Sequence, residues 1–407
     1  MNVEEILRET LREQAAEQAP GLPGFADRVL RVRRRRRTRA LVAAAAAAVA
    51  VIGVGVRAPL LDPGPRDVRP AGVPGGSGVL AHPDQSPPRD LIAAGKVALV
   101  AYGTGHVRVR ADGKGVYEST YWLLDPRTGT YREDPRWRAL AVAPGGRTAA
   151  VLERDLPAHR VGLLDLATGR IERWIPVGHG AGGLAYSRDG SRLVATTYSE
   201  DPGLRERADP TNGPASASDS WLPQAGVSSR TGFSVIDVAT GEETWSKVVP
   251  GRHDEGQEDF AFSRSGSLVY TRSVSGSDGS ERFYDLAGKA VAAPADERFL
   301  RADIPARLSP DGRRAALGVT AEAKGRSWSR IVDPLTGKET ARARGAQLLA
   351  WVDDRRLLAW ERAPGAGLYR PRLMLVTVGS DKAVPLSGST SLAATGEKGW
   401  EPVFAER

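Results

Sequence analysis

Five histidines, His82, His106, His159, His179 and His253, are the first place to look for metal or proton-transfer chemistry. None stands in an HExxH motif or another close pair, so no helix face offers two imidazoles to one zinc ion. His179, in Gly178-His179-Gly180, precedes a strand and reads as a surface loop residue, a channel-mouth position being the alternative. The chain has no cysteine, which excludes disulfides, thiol nucleophiles and cysteine-based zinc sites. It also lacks a Gly-x-Ser-x-Gly nucleophile elbow, a phosphate-binding Walker loop and a dinucleotide fingerprint. Gly75-Gly76-Ser77-Gly78 has no strand before it or helix after it, so it is no phosphate loop. Acidic residues are many but sit mostly in turns; carboxylates brought together from distant repeats are a possibility that spacing cannot display. The sequence therefore assigns no catalytic, cofactor-binding or metal-binding residue, and the chain reads as a non-enzyme.

Aromatic residues offer the other route to function. Trp137, Trp174, Trp245, Trp351 and Trp360 recur near apolar strands and read as packing. Trp221, in a Pro- and Ser-rich stretch, is expected to be exposed and is the aromatic to expect at a partner site.

The elements that must position these residues repeat along the chain. One unit is apolar strand, tight turn, apolar strand: ALAVAPGGRTAAVL (139–152), GLAYSRDGSRLVAT (183–196), DFAFSRSGSLVYT (259–271), PARLSPDGRRAALG (305–318) and LLAWVDDRRLLAW (348–360). The other is a strand ending in Asp before a Thr-Gly turn: WLLDPRTG (122–129), GLLDLATG (162–169), SVIDVATG (234–241), RIVDPLTG (330–337) and, shortened, FYDLAG (283–288). Asp at a strand end accepts turn amides, and Gly supplies positive φ, so these residues punctuate rather than catalyse. The units alternate, giving four short strands in about 44 residues, the period of a β-propeller blade.

The expected fold is thus all-β, a β-propeller over 91–407. Counting gives six blades, starting near 96, 138, 182, 258, 304 and 347, with seven as the alternative. Ser199 to Thr231 reads as a surface insertion within one blade. The first blade lacks a first strand. Glu401-Pro402-Val403-Phe404-Ala405 matches Glu258-Asp259-Phe260-Ala261-Phe262 and is expected to fill that place, closing the ring; Asp90 to Ala93 is the competing candidate.

Before the repeats the sequence changes character. Residues 2–19 carry an amphipathic helical pattern, with Val3, Ile6, Leu7, Leu11 and Ala15 on one face. Residues 1–39 form a cytoplasmic segment ending in the basic run Arg31 to Arg39. That run abuts Ala40 to Val56, 17 residues without a charge and about 25 Å long as a helix. Arginines beside an apolar segment read as a topology signal rather than a nucleic-acid site. One transmembrane helix over 40–57 is expected, with the N-terminus cytoplasmic and the C-terminal part outside; a cleaved signal fits less well because Pro59 follows the cut. Residues 58–90, rich in Pro and Gly, read as a tether. The net charge of +8 is concentrated in the arginine run and does not suggest nucleic acid.

The motifs SRDGSRL (187–193) and SPDGRRA (309–315), with the Asp-x-x-Thr-Gly turns, resemble TolB-type and WD-repeat-like bacterial propellers over roughly 90–407. The Trp-Asp signature is missing. NVEEILRETLREQA (2–15), PGFADRVL (23–30), the arginine run and the Ala-Val helix resemble actinobacterial membrane proteins associated with extracytoplasmic-function sigma factors. That resemblance implies a membrane-anchored regulator whose residues 2–30 contact a cytoplasmic sigma factor. With no cysteine, such contact would be made without the zinc of the His/Cys anti-sigma type. The function expected is a protein- or envelope-binding module. The alternatives are an extracytoplasmic scaffold with no cytoplasmic partner and, less favoured by the residues, a propeller enzyme.

Overall fold

The computed structural model describes residues 78–207, 221–223, 229–248, 258–272, 281–323, 326–362, 370–390 and 399–406. The helical pattern at 2–19, the arginine run, the apolar segment and most of the tether lie outside the described residues, as does His253. No α-helix occurs among the described residues.

The chain builds antiparallel meanders in sequence order. The first comprises Val97–Val109, Gly115–Asp125 and Thr130–Asp134. The second is Trp137–Val142, Thr148–Glu153, Ala158–Asp165 and the start of Arg170–Tyr186. That last strand runs unbroken into the third meander, where its end pairs with Arg192–Tyr198, followed by Arg230–Asp237 and Glu243–Lys247. The fourth is Ala261–Phe262, Leu268–Arg272, Glu281–Asp285 and Ala290–Val291. The fifth is Ala315–Ala323, Arg326–Val332 and Glu339–Arg344. The sixth is Gln347–Trp351, Arg356–Arg362, Pro371–Thr377 and Ala383–Ser389.

The missing first strand of the first meander comes from the C-terminus. Trp400–Glu406 pairs antiparallel with Val97–Val109, in register from Trp400↔Thr104 to Glu406↔Val97. Ala93–Ala94 pairs with the same strand only through Val97 and Ala98, and Asp90 bridges Thr130. The C-terminal strand is therefore the first strand, and it covers an edge that would otherwise be open.

Side-chain alternation explains how the meanders pack. Successive residues of a strand point to opposite faces. On Thr148–Glu153, Ala149 and Val151 join Ala101, Leu123 and Trp137, while Ala150 and Leu152 join Ile175, Leu193 and Ile236. Val194, Phe233, Phe260 and Val269 bind the third meander to the fourth. Leu357 and Ala359 pack with Ala316 and Ile331 of the fifth, whereas Leu358 and Trp360 pack with Leu99, Tyr102 and Trp400 of the first. Each meander thus uses both faces, and the sixth returns to the first.

The turns between first and second strands trace the same circuit. A Cβ on Gly190 would touch Pro144, one on Gly266 would touch Arg192, and one on Gly312 would touch Arg264. Asp311 N donates to Asp354 Oδ1 at 2.9 Å, Gly95 lies against Val352 and Arg356, and Gly146 lies against Ala405 and Glu406. Arg188 also reaches Pro310 O across the intervening meander, at 3.3 Å. Turns that skip a neighbour can meet only if they converge on an axis. The architecture is a β-propeller.

Two local departures from expectation have physical causes. Pro-Ala-Arg-Leu-Ser (305–309), expected as a full strand, contributes only the bridge Leu308↔Ala315. Arg307 sits at φ 48°, outside the extended region, and this breaks the strand. Residues 78–90, read as the end of the tether, are packed. Val79–Leu80 pairs with Ala93–Ala94, His82 N donates to Leu386 O at 2.9 Å, and Gly388 N donates to Gln85 O at 2.7 Å.

Candidate functional site

Strands of a meander alternate in direction, so its connections fall on two opposite ends. One end carries the first-to-second and third-to-fourth turns, and these are short and alike. Asp165 Oδ1 accepts from Thr168 N at 2.7 Å and Thr168 Oγ1 at 2.9 Å. Asp237 and Asp333 accept from Thr240 N and Thr336 N at 2.8 Å each. Gly169 and Gly337 follow at φ 67° and 69°, where a side chain would be strained. In the other turn type Ser187 Oγ donates to Asp189 Oδ1 at 2.6 Å and Ser191 Oγ to Oδ2 at 2.8 Å. These bonds, that of Ser187 foremost, hold the Asp189 carboxyl down at about 2. The Asp residues singled out as punctuation do hold the turns.

The opposite end carries the second-to-third connections, the extended hairpin of the first meander among them, and it is the candidate functional face. There the strands Val97–Val109 and Gly115–Asp125 extend well past their neighbours as a hairpin. The segment after Tyr198, read from sequence as a surface insertion, does not stay in its own meander. Asp201 receives Arg138 Nη2 of the second meander at 3.1 Å and Gly203 O receives Tyr117 N of the first at 2.7 Å. Leu204–Arg207 then adds to the hairpin, Leu204↔Val116 and Arg205↔Gly115, and pairs outward with Trp221–Pro223. A segment of the third meander thus bridges over the second to the first.

This corrects the expectation for Trp221. It is half-buried, packed on Gly115, where a Cβ would come within 2.6 Å of its ring, and stacked under the Arg207 guanidinium at 5.5 Å. The large apolar side chains exposed on the hairpin and insertion strands are instead Val109 and Leu222, at 57% and 53%. Alternation could have suggested Val109; nothing in the sequence pairs Leu222 with the hairpin.

Polar clasps join neighbouring meanders on or near this face. Glu118, buried on the hairpin, accepts from Arg108 Nε at 2.9 Å and is bonded by Arg154 of the second meander. Burial alone would raise its pKa, but the Arg108 hydrogen bond and the Arg154 charge outweigh that and leave it lowered. Tyr198 Oη donates to Asp259 Oδ1 at 2.8 Å, and Arg230 Nη1 donates to Glu258 O at 2.6 Å and Thr271 Oγ1 at 2.9 Å, joining third to fourth. Arg307 joins fifth to fourth. It bonds Glu281, meets Glu297 Oε2 at 2.7 Å and lies 3.8 Å over the Tyr270 ring. Arg344 grips Glu361 with Nε at 2.5 Å and Nη2 at 3.0 Å, joining fifth to sixth. Trp400 closes the circuit edge-on to Trp360 at 4.8 Å, with Nε1 donating to Ser86 Oγ at 3.1 Å. None of these arginines or carboxylates carries a sequence signature, because, apart from Arg108 and Glu118 within one hairpin, each partner lies in another repeat.

The remaining sequence-stated residues are separate. His179 is exposed and stacks on Trp245 at 3.8 Å, but it lies within the strand Arg170–Tyr186 rather than in the loop expected. His106 lies 3.9 Å from Glu118, His159 is exposed and His82 bridges Ser387. Trp137, Trp351 and Trp360 are buried, and Trp174 is half-buried under Arg160 at 4.1 Å. Among the described residues no three His, Asp or Glu side chains form a metal-binding group.

No family model matches the chain, and no curated protein matches it. Solved structures similar to it include three from different organisms. Hydrazine synthase of Kuenenia stuttgartiensis shares 14% identity over 64% of this chain and 72% of that chain, at TM-score 0.34. TolB of Acinetobacter baumannii shares 14% over 70% and 66%, at 0.36. The β-propeller domain of Myceliophteria thermophila Cps50 (Swd1) shares 14% over 70% and 83%, at 0.35. The β-propeller architecture stands on the strand pairing and on the circuit of turns, independently of these similarities.

Proposed function

We propose that the chain is a membrane-anchored β-propeller of six blades that binds a protein or envelope component outside the membrane through its loop-bearing end. The observation that carries this reading is the asymmetry between the two ends. One is a ring of near-identical tight turns. The other bears the extended hairpin, the bridging insertion and exposed Val109 and Leu222. Long connections on a rigid scaffold are where binding residues concentrate. Six meanders whose faces and turns meet in one circuit support a count of six blades. The arginine run beside Ala40 to Val56 supports the anchor and its orientation, and residues 2–30 supply a surface for a cytoplasmic protein, a sigma factor on the resemblance noted above. No catalytic, cofactor or metal role is assigned.

The test is affinity capture from native membranes with four baits: the full chain, a form lacking residues 2–30, Val109→Asp/Leu222→Asp, and Leu335→Asp. Leu335 is 54% exposed in a tight turn and serves as the control for the other end. The expected result is an extracytoplasmic partner lost only with the Val109/Leu222 bait and a cytoplasmic partner lost only with the deletion. Equal loss with Leu335→Asp would remove the loop-bearing end as the binding surface. Identical capture by the full and deleted baits would remove the cytoplasmic partner.

A further inference from the structure

Beside the Arg344–Glu361 clasp, the outer strands of the fifth meander form a second feature. Gly379 N, in the turn after Pro371–Thr377, donates to Arg342 O at 2.8 Å and seats that turn on the edge strand Glu339–Arg344. Between them lies an open groove of about 580 Å³, lined by Ala321, Trp328, Arg342, Gly379, Ser380 and Asp381.

The groove is held in shape before any ligand arrives. Trp328 Nε1 donates to Asp381 Oδ1 at 3.0 Å, which fixes the half-buried indole. Arg344 Nη1 donates to Asp381 O at 2.9 Å and fixes the turn. Asp381 Oδ2 has no partner among the described residues. Arg342 keeps 52% of its side chain exposed while Nε bonds Glu339 at 2.7 Å, so guanidinium donors remain for a ligand. Arg330 lies directly opposite Arg342 on the neighbouring strand.

This combination selects a ligand class by elimination. An apolar ligand would strip water from Arg342 and Asp381 without replacing their hydrogen bonds. A cation meets Arg342, and a compact anion meets Asp381 and gains nothing from the indole. A sugar ring fits all three demands. Its polarised C–H face lies on the electron-rich face of an aromatic ring, and its rim both donates and accepts hydrogen bonds. An acetamido substituent fits further, because its carbonyl can accept from Arg342 while its N–H donates to Asp381. We propose that this groove binds an N-acetylated oligosaccharide, with Trp328 as the stacking platform and Arg342, Ser380 and Asp381 as the rim. A groove held ready in this way loses little ordering entropy on binding. The site does not depend on the anchor or on the loop-bearing end.

The test is calorimetric titration of the full chain with the β-1,4-linked tetramer of N-acetylglucosamine, beside the corresponding glucose tetramer. The expected result is saturable binding of the acetylated tetramer, weakened about tenfold by Arg342→Ala, the loss expected for one hydrogen bond to a charged group. Trp328→Ala should abolish it. Because Trp328 is half-buried, Arg342→Ala, at an exposed side chain, keeps the test sound if the tryptophan variant folds poorly. No saturable binding, or unchanged affinity in Arg342→Ala, overturns the site. Equal binding of the glucose tetramer overturns the acetamido assignment.

Discussion

Arg307 concentrates more of the structure's logic than any other single residue. It stands between Glu281 and Glu297, whose side chains are only 1% and 2% exposed. It also covers Tyr270 and gives up the extended conformation of its strand to do so. Among the described residues no apolar cluster spans the fourth and fifth meanders as the others are spanned, so this charge group, together with Arg264 donating to Ser309 O at 2.9 Å, holds that junction. Arg307→Met leaves two buried carboxylates without their cation. It should destabilise the propeller by about 3–5 kcal/mol in equilibrium urea unfolding. A change within ±0.5 kcal/mol would show that the junction is held by something else. The turn carboxylates give a second prediction. The Asp189 carboxyl is held at about 2, below its ordinary value, so its contribution is present above pH 4 and disappears as pH falls toward 2. Glu118 is lowered and acts in the same direction. The urea midpoint of the protein should therefore drop across that window. In Asp189→Asn, which keeps the turn's acceptor without titrating, the drop should be smaller. An equal drop would place the acid sensitivity elsewhere.

At the scale of elements, the parts legible in the sequence are those whose cause is local. The paired strands, the Ser-x-Asp-Gly and Asp-x-x-Thr-Gly turns and their Asp-to-amide bonds each need only neighbouring residues, and they stand where the repeat places them. The C-terminal first strand was legible through its likeness to the other first strands. The insertion was not. Leu204–Arg207 and Trp221–Pro223 are too short and too polar to show alternation, and their partner Gly115–Asp125 lies some ninety residues earlier. Residues 78–90 misled for a related reason, since a Pro-rich composition hides packing made through backbone groups. The clasps escaped too, because each joins residues whose only relation is the closed ring. The insertion's docking can be checked directly. Gly115→Ala places a methyl against Trp221 and Val107, both 2.6 Å from the ideal Cβ position. Limited proteolysis of that variant should cut within 204–223 much faster than in the unmodified chain, with the thermal midpoint little changed. Unchanged cleavage would mean the hairpin does not hold the insertion.

For the whole molecule, circular packing accounts for how the meanders hold one another. Each meander meets its predecessor and its successor, through apolar faces at the other junctions and through the Arg307 group between the fourth and fifth, so none is a free-standing layer. The turns on one end are short, and the opposite end carries the extended hairpin and the bridging insertion. All of this depends on the C-terminus returning to Val97–Val109. Ala98 and Ala405 are direct register partners in that pairing, and side chains so placed lie near disulfide distance. The chain has no native cysteine to compete, so the decisive measurement is oxidation of Ala98→Cys/Ala405→Cys, followed by peptide mapping and thermal unfolding. A closed ring predicts near-complete cross-linking of the two peptides, with the fold retained and the unfolding midpoint raised. Two free thiols in a folded protein would show that the C-terminal strand lies elsewhere and that the ring is not closed in this way.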